Sequence, residues 1–172
     1  TGNFFDLKVD EFQKVLNLNL TGTVLPTQVF LKPMVEQKKG AIVNFSSMAA
    51  FRPMTRVCGY AAAKAGISNF TAFMANEVAT KFGEGIRVNA ISAGPMRTLA
   101  MAGIKGGKTL MSTGRDWSLL KEDTSMEGVA GCALYLLSPL GRSITGEVVH
   151  VDAGFHIVGV PDIDGGAGPA GA

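Results

Sequence analysis

The chain has 172 residues, of which 47% are hydrophobic and 17% charged, and its formal net charge is +2. This length and composition predict one globular domain with a substantial core. The weak, scattered charge argues against a nucleic-acid partner, and no apolar run reaches the ~18 residues that a membrane span requires.

The first predicted element is a long helix with one interruption. From Asp10 to about Lys38, apolar residues recur at spacings of three and four. Polar and small residues from Asn19 to Gly22 interrupt this pattern, so we expect a kink there. Gly40 is predicted to end the helix, and residues 41–45 read as a short buried strand.

A second long helix is predicted from about Gly59 to Phe82, and its small residues suit close packing. Residues 86–91 form the next predicted strand. Residues 94–123 lack a clear period, so we expect a loop lobe with short helices.

The last predicted elements are a helix and a strand. Residues 124–127 resemble a capping box that opens a helix to about Leu137. A strand over 147–151 follows. The alternation of helices and strands predicts an α/β fold, a doubly wound parallel sheet of about three strands with flanking helices.

The ends and the cysteines complete the outline. The Gly/Ala/Pro-rich run 161–172 cannot bury apolar surface, so we expect a flexible tail after a domain over residues 1–160. Cys58 and Cys132 lack the spacing of a metal site, and no secretory signal is visible. We therefore expect a cytoplasmic protein with reduced thiols and no metal.

Tyr60, Lys64 and Ser47 form the candidate site. Tyr60 and Lys64 are four residues apart and share one face of the predicted helix. Ser47 follows the buried strand and can face them. A phenol, an ammonium and a hydroxyl that meet at one point make a proton-transfer site.

The energetics favour this interpretation. A phenol has an ordinary pKa near 10, and bringing it to about 7 requires roughly 4 kcal/mol of preference for the phenolate. A cation about 4 Å away supplies roughly that amount at an effective dielectric near 20. Tyr60 then exchanges a proton with an alcohol or a carbonyl oxygen that Ser47 holds. The hydride needs a separate carrier.

A second loop falls at the same edge of the sheet. Residues 92–95 come directly after the predicted strand at 86–91. Ligands of open α/β sheets bind outside the carboxyl ends of the strands, so this loop belongs to the candidate site.

Several motifs resemble the short-chain dehydrogenase/reductase family over residues 4–160. In order, they are NLNLTG at 17–22, IVNFSS at 42–47, YAAAK at 60–64, RVNA at 87–90 and TGEVVHVDAG at 145–154. The resemblance implies a Rossmann-like fold, an oxidoreductase activity and NAD or NADP as cofactor. It also implies a small-molecule substrate and a homo-oligomer, such as a homotetramer, for the complete protein.

The resemblance also implies roles for individual residues. The catalytic residues are Asn19, Ser47, Tyr60 and Lys64, and Asn19 holds a water that leads from the Lys to solvent. Tyr60 and Lys64 also bind the cofactor, and the ribose contact is made by Lys64.

The loop after the second strand is the other part of the implied cofactor site. The resemblance assigns Gly94, Pro95, Met96 and Thr98 to the nicotinamide amide and the phosphates.

Two features depart from the family pattern. No Gly-rich turn joins a strand to a helix, so only the catalytic half of the fold is expected here, with strand 41–45 at an open edge. Residues 4–75 resemble D-mannonate oxidoreductase-type members, whereas residues 90–158 resemble NADH-dependent enoyl-acyl-carrier-protein reductases. The latter space Tyr and Lys seven apart, and position 67 here is Ile67.

Three functions therefore stay open. The leading hypothesis is an NAD(P)-dependent oxidoreductase that interconverts a carbonyl and an alcohol, for example in a sugar acid. The second is an enoyl reductase of fatty acid synthesis acting on acyl thioesters. The third is a truncated, non-catalytic fragment.

Other polar residues are interpreted as structural. His150 and His156 lie in or just after the last strand and are taken as satisfied structural residues. Arg52 and Arg56, in the loop between Ser47 and Tyr60, are taken as solvated charges.

Overall fold

The computed structural model of the chain describes residues 3–52, 54, 57–102 and 107–159. The predicted tail at 161–172 and the side chain of Arg56 lie outside the described residues. The helices are α1 (Val9–Leu16), α2 (Gly22–Gln37), α3 (Cys58–Phe82), α4 (Leu99–Ala102), α5 (Gly107–Trp117) and α6 (Met126–Leu137). The strands are β1 (Gly40–Phe45), β2 (Ile86–Ala93) and β3 (Val148–Val151).

The three strands form one parallel sheet in the order β1-β2-β3. Val43 pairs with Asn89, and Ile91 pairs with Val149. The predicted parallel, partial Rossmann-like arrangement is therefore confirmed. Among the described residues, β1 pairs only with β2.

Helices cover both faces of the sheet. On one face, Val88 of β2 packs with Met74 and Val78 of α3, and α2 adds apolar side chains to the same cluster. On the other face, Ile91 packs with Val129 and Leu136 of α6. A strand that is buried on both faces must be apolar along its length, which explains the nearly continuous apolar run of β2.

The predicted kink is a π-helical turn over Asn17–Thr21, between α1 and α2. The Asn19 amide donates to the Val15 carbonyl at 3.1 Å, and the Thr23 hydroxyl donates to the Asn19 carbonyl at 2.8 Å. Side chains thus bond to one carbonyl inside the irregular turn and to one in the helix just before it. Such turns are often found at functional sites.

Two predicted capping residues were wrong. Helix α2 ends at Gln37, close to the predicted end, and its cap is Lys38 in the left-handed conformation, whereas Gly40 is the first residue of β1. The cap of α6 is Ser125, whose hydroxyl accepts a hydrogen bond from the Gly128 amide at 2.8 Å. The preceding residue, Thr124, is buried instead, because its side chain packs against the backbone at Gly94.

The helices of the described ranges are all too short or too polar to cross a bilayer.

Candidate functional site

Tyr60 and Lys64 lie on successive turns at the beginning of α3, as the spacing predicted. The Lys64 Nζ atom is 5.5 Å from the centroid of the Tyr60 ring. The same atom donates a hydrogen bond of 2.7 Å to the carbonyl oxygen of Phe45, the last residue of β1. Burial lowers the pKa of Lys64. The cation is therefore held against the sheet and beside the phenol.

Ser47 comes from the segment that packs against this part of α3. Its hydroxyl accepts a hydrogen bond from the Ala49 amide at 3.2 Å and so caps the short 3₁₀ turn Met48–Ala50. Ser47 is buried, and the turn that it caps packs on α3. The structure thus brings the Ser47 segment to the helix of Tyr60, while convergence on one substrate oxygen stays a prediction.

The π-helical turn brings Asn19 to the same helix. Its neighbour Leu20 packs on Gly66, where a Cβ atom would lie 3.2 Å from the Leu20 methyl groups. Gly66 is two residues beyond Lys64, so the small side chains of α3 permit this close approach. Asn19 itself is half-buried.

The loop after β2 lies at the carboxyl edge of the sheet, as expected. The Gly94 amide donates to the Val151 carbonyl at 3.0 Å. A Cβ atom at Gly94 would lie 3.0 Å from Asp152 Cβ and still nearer the Thr124 hydroxyl, so only glycine fits. Pro95 lies next to Gly114 of α5. Helix α5 of the lobe at 94–123 therefore packs against this loop.

Two side chains assigned to the cofactor also have structural contacts. The Met96 side chain packs into the cluster between β2 and α6. The Thr98 hydroxyl accepts a hydrogen bond from the Met101 amide at 3.1 Å, at the beginning of α4. The backbone at Met96 and the remaining hydroxyl capacity of Thr98 are what this loop can offer a ligand.

The residues present suit the nicotinamide half of a dinucleotide. An ammonium has three N–H donors, and Lys64 uses one of them on Phe45. The other two, with the Tyr60 hydroxyl, provide the donors that a ribose and a substrate oxygen require. Within the described ranges, no group of three or more His, Cys, Asp or Glu side chains is placed to hold a metal ion.

The sequence reasoning missed how the site is fixed to the sheet. The Ser46 hydroxyl lies 2.6 Å from the Ser68 hydroxyl and 3.3 Å from the Lys64 carbonyl oxygen. One turn further along α3, the Thr71 hydroxyl accepts a hydrogen bond of 3.0 Å from the Asn44 amide. The available signal was a pair of polar residues at alternate positions of a buried strand.

The interpretation of Arg52 as a solvated charge was wrong. Arg52 is half-buried, and its Nε atom donates to the His156 carbonyl at 2.8 Å. His156 also contacts the Asp152 carboxylate through Nδ1 at 2.9 Å. The His156 ring stacks on His150 at 3.9 Å between centroids. These contacts tie the loop after Ser47 to the segment after β3, which agrees with a structural role for both histidines.

Comparison with known proteins gives a consistent result. A family model described as enoyl-(acyl carrier protein) reductase matches residues 1–156. The chain is 42% identical over 123 residues to the NADH-dependent enoyl-[acyl-carrier-protein] reductase FabI of Haemophilus influenzae, covering 72% of this chain and 46% of that protein. It is 35% identical over 151 residues to the 3-oxoacyl-[acyl-carrier-protein] reductase FabG of Aquifex aeolicus, and this match covers 88% of this chain and 59% of that protein.

The fold is also similar to that of a solved enzyme. The crystal structure of the Bacillus cereus enoyl-acyl carrier protein reductase with NADP+ and indole naphthyridinone superposes with a TM-score of 0.82 at 32% identity. The match covers 93% of this chain and 60% of that one. The chain thus spans about half of the length of the curated relatives that it matches.

Proposed function

The chain belongs to the short-chain dehydrogenase/reductase family, and on this basis we propose that the complete protein is an NAD(P)-dependent oxidoreductase that interconverts a carbonyl and an alcohol. The observation that supports this proposal most directly is the position of Lys64. Its ammonium bridges the end of β1 and the face of the Tyr60 ring.

In the proposed reaction, Tyr60 gives a proton to a carbonyl oxygen or takes one from an alcohol. The Lys64 ammonium lies 5.5 Å from the centroid of the Tyr60 ring, where it attracts the negative charge that develops on the phenol oxygen as the proton leaves. Ser47 holds the substrate oxygen by a hydrogen bond.

The remaining site residues have supporting roles in this proposal. Asn19 holds a water that connects Lys64 to solvent. The free N–H groups of Lys64 and the loop Gly94–Thr98 bind the nicotinamide end of NAD or NADP. When bound, this cofactor supplies or accepts the hydride, which no side chain can do.

An enoyl-acyl-carrier-protein reductase is the second candidate, because that activity is named for several similar proteins. The spacing of the site speaks against it. Seven residues after Tyr60 stands Ile67, which is 1% exposed and faces the core. Seven residues before Lys64 stands Val57. Neither end of the site therefore provides the Tyr–Lys spacing of seven that the resemblance associates with enoyl reductases.

Exposed apolar side chains support a homo-oligomeric complete protein. Val29 and Phe30 of α2 and Phe73 of α3 are all exposed. An apolar groove of about 620 Å³ runs between these two helices. Surface of this kind is typical of subunit contacts.

A substrate panel tests the proposed activity. A complete enzyme would be assayed with NADH and with NADPH against keto-sugar acids, simple ketones and crotonyl thioesters. Oxidation of the cofactor by the ketones is expected. Robust turnover of the crotonyl thioester alone would replace the carbonyl proposal by the enoyl one, and no turnover of any substrate would contradict both.

A further inference from the structure

Two polar side chains, one in the last part of β1 and one directly after it, hold α3 against the sheet. Asn44 and Ser46 are both buried and lie two residues apart, so they point to the same face of the strand. Asn44 bonds to Thr71 at 3.0 Å, and Ser46 contacts Ser68 at 2.6 Å. These contacts fix both the height and the rotation of the helix relative to the strand.

The Ser46 contact reaches the helix turn that bears Lys64. The hydroxyls of Ser46 and Ser68 and the Lys64 carbonyl form a triangle with edges of 2.6, 3.2 and 3.3 Å. Each hydroxyl has one proton to donate. Whichever serine donates to the other, the second proton is directed to the Lys64 carbonyl, so the triangle is satisfied in both arrangements.

Lys64 is consequently held at both ends by two adjacent residues, the last residue of β1 and the one that follows it. Its carbonyl is bound through Ser46, and its ammonium is bound by the Phe45 carbonyl at 2.7 Å. A lysine side chain has four rotatable bonds and loses conformational entropy when it is confined. Fixing the backbone end reduces the positions that the ammonium can sample.

We propose that Ser46 is a positioning residue, which acts through Lys64 to keep the ammonium at the Tyr60 ring. The proposal rests on the proposed function, because Lys64 is taken there as the cation that assists Tyr60. Ser46 itself touches neither partner of the reaction. Its effect is on the orientation of Lys64 and hence on the proton-transfer step.

The chain offers a control serine away from the site. Ser143 is exposed and precedes β3, so it lies at the edge of the parallel sheet opposite the carboxyl ends of the strands. Ser143→Ala therefore makes the same chemical change as Ser46→Ala outside the site. Ser46→Thr retains the hydroxyl and serves as the conservative variant.

The experiment has two readouts in the full-length protein. The first is the pH dependence of kcat for alcohol oxidation. Ser46→Ala should lower kcat about fivefold, which corresponds to one neutral hydrogen bond, and move the acid limb to higher pH. Ser46→Thr should restore the profile, and Ser143→Ala should leave it unchanged.

The second readout does not need a substrate. The Lys64 ammonium is titrated by NMR on labelled lysine, with the signal assigned by Lys64→Met. Burial lowers the pKa of Lys64, so release of the tether in Ser46→Ala should raise that pKa toward its ordinary value. If no substrate is turned over but the titration shifts, the proposed activity fails and the positioning role stands.

Several results would overturn the positioning role. They are a Lys64 titration in Ser46→Ala that matches Ser143→Ala, or a pH profile that does not move. If Ser46→Ala does not fold, Ser46→Cys provides the same test, because a thiol occupies the same place and is only a weak hydrogen-bond donor. Ser46→Cys is expected to shift both readouts in the same direction, and unchanged readouts would refute the proposal.

Discussion

Replacing Tyr60 by Phe removes a single oxygen atom, and it should remove most of the proposed activity. General acid–base catalysis by one positioned side chain typically contributes 10²- to 10⁴-fold. The Lys64 ammonium lies 5.5 Å from the centroid of the Tyr60 ring, so Phe at this position leaves the cation beside a ring that has no proton to give or take. We therefore expect kcat to fall at least about 100-fold.

The same change should have little effect on the free energy of unfolding. Tyr60 is half-buried in the first turn of α3, and Phe retains its ring. Substitutions that leave packing intact usually change the free energy of unfolding by less than about 0.5 kcal/mol. Cofactor affinity should also be nearly retained, because one hydroxyl contributes little binding surface.

The other tyrosine of the chain provides the control. Tyr135 lies on α6 and is 43% exposed. The assay compares kcat, KM for the cofactor and thermal midpoint for wild type, Tyr60→Phe and Tyr135→Phe in the complete enzyme. If Tyr60→Phe is folded and retains more than about a tenth of the wild-type kcat, Tyr60 is not the proton donor.

Three further predictions concern charge and packing. Lys64→Met should lower kcat about 100-fold and weaken cofactor binding. Because burial lowers the pKa of Lys64, the unfolded chain binds more protons than the folded chain above neutral pH. The free energy of unfolding of wild type should therefore rise relative to that of Lys64→Met as pH rises toward about 10. Parallel curves of unfolding free energy against pH would contradict this. Burial and the nearby His156 lower the pKa of His150, so the free energy of unfolding should fall as pH drops below about 6.5, and His150→Phe should flatten that fall in urea titrations at several pH values. Leu136→Ala, at a position 0% exposed, should cost about 2–5 kcal/mol in urea unfolding. Leu134→Ala, 70% exposed on the same helix, should cost under about 1 kcal/mol, and equal losses would refute the assignment of the core.

Local patterns in the sequence were sufficient for the order of the elements. The long helices, the three strands and the interruption at residues 17–21 follow from apolar periodicity and from polar or small residues that break it. The pairing of Tyr60 with Lys64 follows from the pitch of a helix, because residues four apart lie on one face regardless of the surroundings.

The boundaries and caps depended on contacts that sequence spacing does not contain. Ser125 rather than Thr124 caps α6, because Thr124 is buried against the chain at Gly94. Arg52 was predicted to be a solvated charge, but it donates to the carbonyl of His156. This partner is 104 residues away in sequence, so the local sequence does not show it. Such pairings arise only when the segments are folded together.

The sequence by itself thus determined which residue types form the site and which helix bears two of them. Only the tertiary structure decided how that helix is fixed to the sheet, through Ser46, Ser68 and the carbonyl of Phe45. The physical reason is that helical periodicity is local, whereas the height and rotation of a helix on a sheet depend on hydrogen bonds between residues about 20 positions apart. Every residue has a backbone carbonyl, so the sequence does not show which carbonyl will accept a hydrogen bond from a lysine in the folded chain.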